Sequence, residues 1–85
     1  MNELDVVLDD VHRVAQVVCG MGKRKLMVLA LKRTDVLDRL VRLRFVFDAK
    51  EKRKLDSCAA EAGIELTYTD LGSYYPYRIR AWRRL

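Results

Sequence analysis

Apolar residues follow a helical period at the start of the chain. The positions with i, i+3, i+4, i+7 spacing are Leu4, Val7, Leu8, Val11, Val14, Ala15 and Val18. Asn2 precedes them as an N-cap residue, and Gly20 and Gly22 follow them as residues that end helices. The pattern therefore predicts a first helix over residues 3–19.

The next hydrophobic segment has no polar interruption. Leu26–Leu31 is a run of six apolar residues without alternation. Such a run is typical of a central strand that is covered on both faces and has no solvent side to carry polar residues. We expect this segment to be the buried strand of a sheet.

The hydrophobic period changes several times along the rest of the chain. It predicts, in order, a short helix capped by Thr34, a strand over residues 43–47, a helix capped by Asp48 and ended by Gly63, a strand from Ile64 and a strand over Tyr77–Trp82. The whole pattern predicts a small single-domain α/β layered sandwich over residues 1–85, in the order α-β-α-β-α-β-β, with a mixed four-stranded sheet.

The composition supports a folded domain and suggests its surroundings. The 85 residues are 51% hydrophobic and 34% charged, which suits a packed core rather than a disordered chain. The acidic N-terminus does not look like a signal peptide and the apolar runs are too short to span a membrane, so we expect a cytoplasmic protein with reduced cysteines. Asn2 and Gln16 are the only carboxamides, a scarcity compatible with a thermophilic source.

All the lysines and arginines lie in residues 13–85. Residues 1–12 hold four acids and no lysine or arginine, so residues 13–85 carry 17 basic and 8 acidic groups, a net charge of +9. Clustered basic residues in a chain with a pI near 9.5 are typical of a nucleic-acid binder. The residues predicted to bind nucleic acid are Lys23, Arg24, Lys25, Lys32, Arg33, Thr34, Arg39, Arg78, Arg80 and Trp82.

The last predicted strand offers the most suggestive surface. Strict alternation would place Arg78, Arg80, Trp82 and Arg84 on one face, a stacking platform flanked by phosphate-binding groups. Tyr74 and Tyr75 in the preceding turn would either add stacking surface or close the core. The alternative is an edge strand whose charges only prevent aggregation.

A second interpretation is a small Mg²⁺-dependent nuclease. Residues 47–50 read Phe-Asp-Ala-Lys, a hydrophobic strand running into an Asp-x-Lys string. This string resembles the metal site of restriction-endonuclease-like and Holliday-junction-resolvase folds. That resemblance implies a site formed by Asp48, Lys50 and an upstream acid such as Asp35, with help from Glu3. Asp48 also has a structural alternative as an N-cap.

The order of elements from residue 23 onward resembles the ribosomal-protein family that binds kink-turn RNA. The similarity lies in the predicted strand 26–31, the helix at Thr34, the strand 43–47, the segment 52–58, Gly63-Ile64 and Leu71-Gly72. It implies an α/β/α sandwich that reads RNA with the loop opening its second helix. The family's Gly-x-Asn-Glu motif falls on residues 32–35, with Thr34 in place of the asparagine and Asp35 in place of the glutamate.

These observations lead to a non-enzymatic nucleic-acid-binding module, with structured RNA favoured over DNA. We expect no catalytic residue, no metal and no cofactor. The nuclease is the first alternative. A module that docks an acidic protein partner is the second, and pairing of the acidic first helix with the basic remainder would make it a homo-oligomer.

Overall fold

The computed structural model describes residues 22–85. The first predicted helix, residues 3–19, lies outside the described residues. The elements within them, in chain order, are α1 Arg24–Leu31, α2 Thr34–Leu43, β1 Val46–Phe47, α3 Ala49–Glu61, β2 Ile64–Asp70 and β3 Tyr77–Arg84. This part of the chain is a small compact α/β domain with three helices and one sheet.

The prediction of a strand over Leu26–Leu31 is wrong, because this segment forms most of α1. Met27 and Leu31 are fully buried, whereas Leu29 is 42% exposed. The helix packs against both α2 and α3, so it is apolar around most of its circumference. Its composition favours a helix as well, since Val28 is the only β-branched residue among strong helix formers.

The second predicted helix is longer, and the strand after it shorter, than expected. Helix α2 runs to Leu43 and ends with Arg44 in the left-handed conformation at φ 58°, so only Val46–Phe47 remains for β1. The N-cap position belongs to Arg33, and Thr34 is the first helical residue. The predicted capping role of Thr34 is therefore wrong.

Helix α3 has the limits that the sequence predicts. Asp48 is its N-cap, and a glycine at φ +80°, Gly63, follows the C-cap Ala62. Leu55, Cys58 and Ala59 form the buried stripe that packs on the sheet and on α1. Local signals, namely a cap, a period and a terminating glycine, are sufficient to predict this element.

The described sheet has three strands in the order β1-β3-β2, and both pairings are antiparallel. The predicted mixed four-stranded sheet is not what residues 22–85 form, because its first strand is α1. The helices pack on one face of the sheet. From that face the sheet contributes Phe47, Ile64, Leu66 and Ile79 to the core. No helix among residues 22–85 is long and apolar enough to cross a membrane.

Candidate nucleic-acid interface

A β-bulge interrupts the alternation of β3. Thr67 lies opposite Ala81, but the next residue of β2, Tyr68, lies opposite Ile79. Arg80 is therefore an extra residue on β3 with no partner of its own. An extra residue reverses which face the following side chains occupy, because the side-chain period of a strand is two.

The bulge places Trp82 on the helical face of the sheet. Trp82 lies opposite the buried Leu66 and packs against the core. Its indole Nε1 donates a hydrogen bond of 2.9 Å to Oδ1 of Asp38 on α2. The predicted platform, with Trp82 beside Arg78 and Arg80 on one face, is thus not formed, and Trp82 joins α2 to the sheet instead.

The opposite face of the sheet, which we call the open face, is not covered by any described helix. Its residues are Val46 on β1, Glu65, Thr67 and Thr69 on β2, and Arg78, Arg80, Ala81 and Arg83 on β3. Each of them is exposed or half-buried. Two of the arginines predicted to bind nucleic acid, Arg78 and Arg80, therefore lie together on one accessible surface.

The arginines of the open face differ in their partners. Arg83 Nε donates a 2.8 Å hydrogen bond to Oε1 of Glu65, directly opposite in the sheet. This bond raises the pKa of the Arg83 guanidinium and neutralises much of its field. Arg78 and Arg80 form no ion pair within residues 22–85. Their guanidinium groups are available to an external anion.

The other predicted basic residues form a separate surface. Lys23, Lys25 and Lys32 are exposed around α1, which packs on the helical side of the sheet. With the exposed Leu29 they make up what we call the α1 ridge. The α1 ridge lies on the helical side of the domain and the open face on the opposite side of the sheet, so they are two separate surfaces.

Arg24 has a structural role that the charge pattern does not reveal. Its guanidinium donates to Oε2 of Glu61 at 2.8 and 3.1 Å and to Oγ of Ser57 at 3.0 Å. These bonds attach α1 to α3. Arg24 is therefore less available to a nucleic acid than its neighbours Lys23 and Lys25.

The residues at the start of α2 also lie apart from the open face. Arg33 forms a two-pronged ion pair with Asp35, with N–O distances of 3.1 and 3.3 Å. Thr34 is exposed, and Arg39 is half-buried. The structure thus places most of the predicted binding residues on the α1 ridge, on α2 or on the open face, whereas Arg24 is bonded to α3 and Trp82 lies on the helical face of the sheet.

The acids of the nuclease interpretation have other partners. Oδ1 of Asp48 accepts the Glu51 amide at 2.7 Å, and the Asp48 amide donates to Oε1 of Glu51 at 3.0 Å, a reciprocal capping box. Asp35 is paired with Arg33. Among residues 22–85 no group of three or more potential metal ligands comes together.

A polar network fastens α3 to the helical face of the sheet beside the core. The Tyr68 hydroxyl donates a 2.8 Å hydrogen bond to Asp56, and Lys52 pairs with the same carboxylate at 2.9 Å. The Lys52 ammonium also lies 4.7 Å from the ring centre of Tyr68 and 5.3 Å from that of Tyr77. Burial, reinforced by the bond to Asp56, raises the pKa of Tyr68 well above its usual value. The network positions β2 and β3 and, with them, the open face.

The loop between β2 and β3 has an aromatic tip. Tyr74 is 87% exposed and Tyr75 46% exposed, and their ring centres are 5.3 Å apart in an edge-to-face arrangement. Neither ring belongs to the core or packs against it. Within residues 22–85, these tyrosines therefore do not close the core, which was one of the two roles that the sequence allows for them.

Comparison with protein-family models, with curated proteins and with solved structures found no match.

Proposed function

We propose that this protein is a non-enzymatic nucleic-acid-binding module that contacts phosphates with its open face. The single observation that carries the proposal is a pair of arginines without ion-pair partners within residues 22–85, the half-buried Arg78 and the exposed Arg80, on a sheet face that no described helix covers. Arginine guanidinium groups match phosphate geometry and bind it through two parallel hydrogen bonds.

The dimensions of the open face suit a short stretch of backbone. Arg78 and Arg83 lie opposite Thr69 and Glu65, which are four residues apart on β2, so they are separated by about 13 Å at roughly 3.3 Å per residue of strand. Charges along one nucleic-acid strand repeat about every 3.4 Å of helix axis, so this length corresponds to about five phosphates. Thr67 and Thr69 lie beside the arginines and add hydroxyl groups of the kind that contact phosphate and sugar.

RNA is the favoured ligand because of the shape of this surface. The major groove of B-DNA is read by a protruding helix or a two-stranded ribbon, whereas the open face is the side of a sheet whose other side is packed against helices. Unpaired or irregular RNA can lie along a sheet and place its phosphates on the arginines. Mg²⁺ and a catalytic group have no part in this mode of binding.

The test compares two variants that remove the same charge from different surfaces. Arg78→Gln/Arg80→Gln alters the open face, and Lys25→Gln/Lys32→Gln alters the α1 ridge. Fluorescence anisotropy would measure the affinity of each for a structured RNA from about 50 to 200 mM salt. If the wild type contacts about five phosphates, log K should fall with log salt at a slope of about −4.

We expect the open-face variant to bind at least tenfold more weakly and to lower the magnitude of the slope by about 1.5, while the α1-ridge variant changes both much less. Equal losses in the two variants would mean that net charge alone drives binding. No binding at low salt would refute the function. Incubation with Mg²⁺ and analysis for cleaved RNA would be done in parallel, since cleavage would favour the nuclease instead.

A second candidate function, docking of an acidic protein segment, is favoured by one observation on the α1 ridge. Leu29 is 42% exposed, and Lys25 and Lys32 lie four residues before and three after it, on the same face of α1. An exposed leucine between two lysines suits a partner that combines apolar and acidic side chains. Cross-linking from Lys25 would detect such a partner, and a Leu29→Ser variant should lose it.

A further inference from the structure

The aromatic tip of the β2–β3 loop is held in one conformation by its own backbone contacts. The Leu71 amide donates to the Pro76 carbonyl at 2.6 Å, which closes the loop. The Gly72 amide donates to Oδ1 of Asp70 at 2.9 Å, and Oγ of Ser73 donates to the Tyr75 carbonyl at 3.1 Å. Gly72 sits at φ +65°, a conformation that favours glycine. These bonds restrain the backbone that carries the two rings.

The tip has the composition of a contact surface. Leu71, Tyr74 and Tyr75 are all among the exposed large hydrophobic residues, and they occupy one six-residue loop. Tyrosine presents a large planar area and loses little side-chain entropy on binding. The two rings contact each other edge to face, and their exposed fractions of 87% and 46% leave the rest of each ring accessible to a planar ligand.

The neighbouring charges identify the chemistry of the partner. Arg78 is the second residue of β3 and follows the loop residue Tyr75 by three positions, so the Cα atoms of the two residues are at most about 10 Å apart at roughly 3.3 Å per residue. The tip thus adjoins the end of the open face that carries the two arginines without ion-pair partners. A polymer that offers planar rings and regularly spaced anions would contact both, and an unpaired nucleic-acid strand is such a polymer.

We infer that Tyr74 and Tyr75 stack on unpaired nucleobases while Arg78 and Arg80 hold the adjoining phosphates, so that the module prefers unpaired segments of RNA to duplex. This inference rests on the proposed function, since it adds base contacts to the phosphate contacts of the open face. In a duplex the faces of the bases are already stacked on one another, and the tip would have only the backbone to contact.

The experiment uses the whole chain and three fluorescein-labelled probes. The probes are a single-stranded RNA, the same strand paired into a duplex, and a strand of equal length in which the sugar-phosphate backbone carries no bases. The variants are Tyr74→Ala/Tyr75→Ala, its matched control Tyr74→Phe/Tyr75→Phe, and Arg78→Gln/Arg80→Gln. Far-UV circular dichroism and thermal melting would confirm that every variant is folded.

The tyrosine-to-alanine variant should bind the single strand about tenfold or more weakly, since stacking on each base contributes on the order of a tenfold change in affinity. It should bind the duplex and the base-free strand within about twofold of the wild type, because those probes contact only the arginines. The phenylalanine control should retain the wild-type affinity, because its rings stack equally well.

The arginine variant separates this inference from the proposed function. Weaker binding of all three probes by the arginine variant, with no selective effect of the alanine variant, would overturn the stacking inference and leave the proposed function standing. An alanine variant that weakens all probes equally would likewise overturn it. A wild type that binds none of the probes at low salt would overturn both.

Discussion

Replacing Asp48 with alanine removes the carboxylate half of the capping box at the start of α3. Its Oδ1 accepts the Glu51 amide at 2.7 Å, and that amide has no acceptor within the helix, as for every residue of a first turn. The loss of an N-cap of this kind costs about 1 kcal/mol and up to about 2 kcal/mol. The carboxylate also opposes the positive end of the helix dipole, worth about 0.3–1 kcal/mol.

Asp48→Asn separates these two contributions. The amide oxygen of asparagine accepts the same hydrogen bond, so only the interaction of the charge with the dipole is lost. We therefore expect a loss of about 0.5 kcal/mol for Asp48→Asn and of about 1.5 kcal/mol for Asp48→Ala. In a domain of this size 1 kcal/mol lowers Tm by about 4–8 °C, so the two variants should be distinguishable.

Urea unfolding would measure these differences with two independent signals. Trp82 is the only tryptophan and packs between α2 and the sheet, so its fluorescence reports on tertiary structure, while circular dichroism reports on the helices. Glu51→Ala, alone and combined with Asp48→Ala, would isolate the coupling within the capping box.

Two results would contradict this reasoning. If Asp48→Ala were as stable as the wild type, the capping box would contribute nothing. If Asp48→Asn were as unstable as Asp48→Ala, the charge rather than the hydrogen bond would matter. Mg²⁺-dependent RNA cleavage that disappears in Asp48→Asn while binding is retained would show that the carboxylate is a metal ligand.

Three further predictions test the fold. Leu29→Lys should change the free energy of unfolding by less than about 0.5 kcal/mol, because Leu29 is 42% exposed on α1. Leu31→Lys should prevent folding, because Leu31 is fully buried. Thermal melting would measure both, and an equal loss of stability in the two variants would favour a doubly covered strand. Because the pKa of Tyr68 is raised in the folded state, the unfolded chain loses this proton first and stability should decline from about pH 10 upward, by up to about 1.4 kcal/mol per pH unit. Urea titrations should show that Tyr68→Phe removes this part of the decline and that Tyr74→Phe does not. Deletion of Arg80 removes the bulge but leaves Ile79 and Trp82 two residues apart and therefore on the same face, so this variant should still melt cooperatively, and failure to fold would contradict the assignment of Arg80 as the extra residue.

The limits of α3 and the existence of β2 and β3 could be predicted from the sequence, because each depends on neighbouring residues. Asp48 caps the helix by accepting a hydrogen bond from the amide of Glu51, three residues later, and Gly63 supplies the positive φ that ends it. Ile64 and Leu66 alternate with polar residues because one face of β2 meets the core and the other meets solvent. Capping and period are local properties, so they can be read from a short stretch of chain.

The conformation of Leu26–Leu31 depended on the tertiary structure. A short apolar run is compatible with a strand between two layers and with a helix between two helices, since both are covered on most sides. Packing against α2 and α3 selects the helix. The phase of that helix in turn decides that Arg24 is bonded to Glu61 while Lys25 stays exposed.

Which residues share the candidate site was likewise decided by the tertiary structure, through the pairing of β2 with β3. The sequence alone determined that arginines are dense in β3 and that the domain is basic after residue 12. Pairing with β2 determined that Arg80 is an extra residue, that Trp82 turns to Asp38, and that Arg78 and Arg80 stay on the open face. A bulge depends on which residues of two strands lie opposite each other. Ile79 and Trp82 are three residues apart, so strict alternation would place them on opposite faces of the sheet, and only an extra residue between them lets both pack against the core.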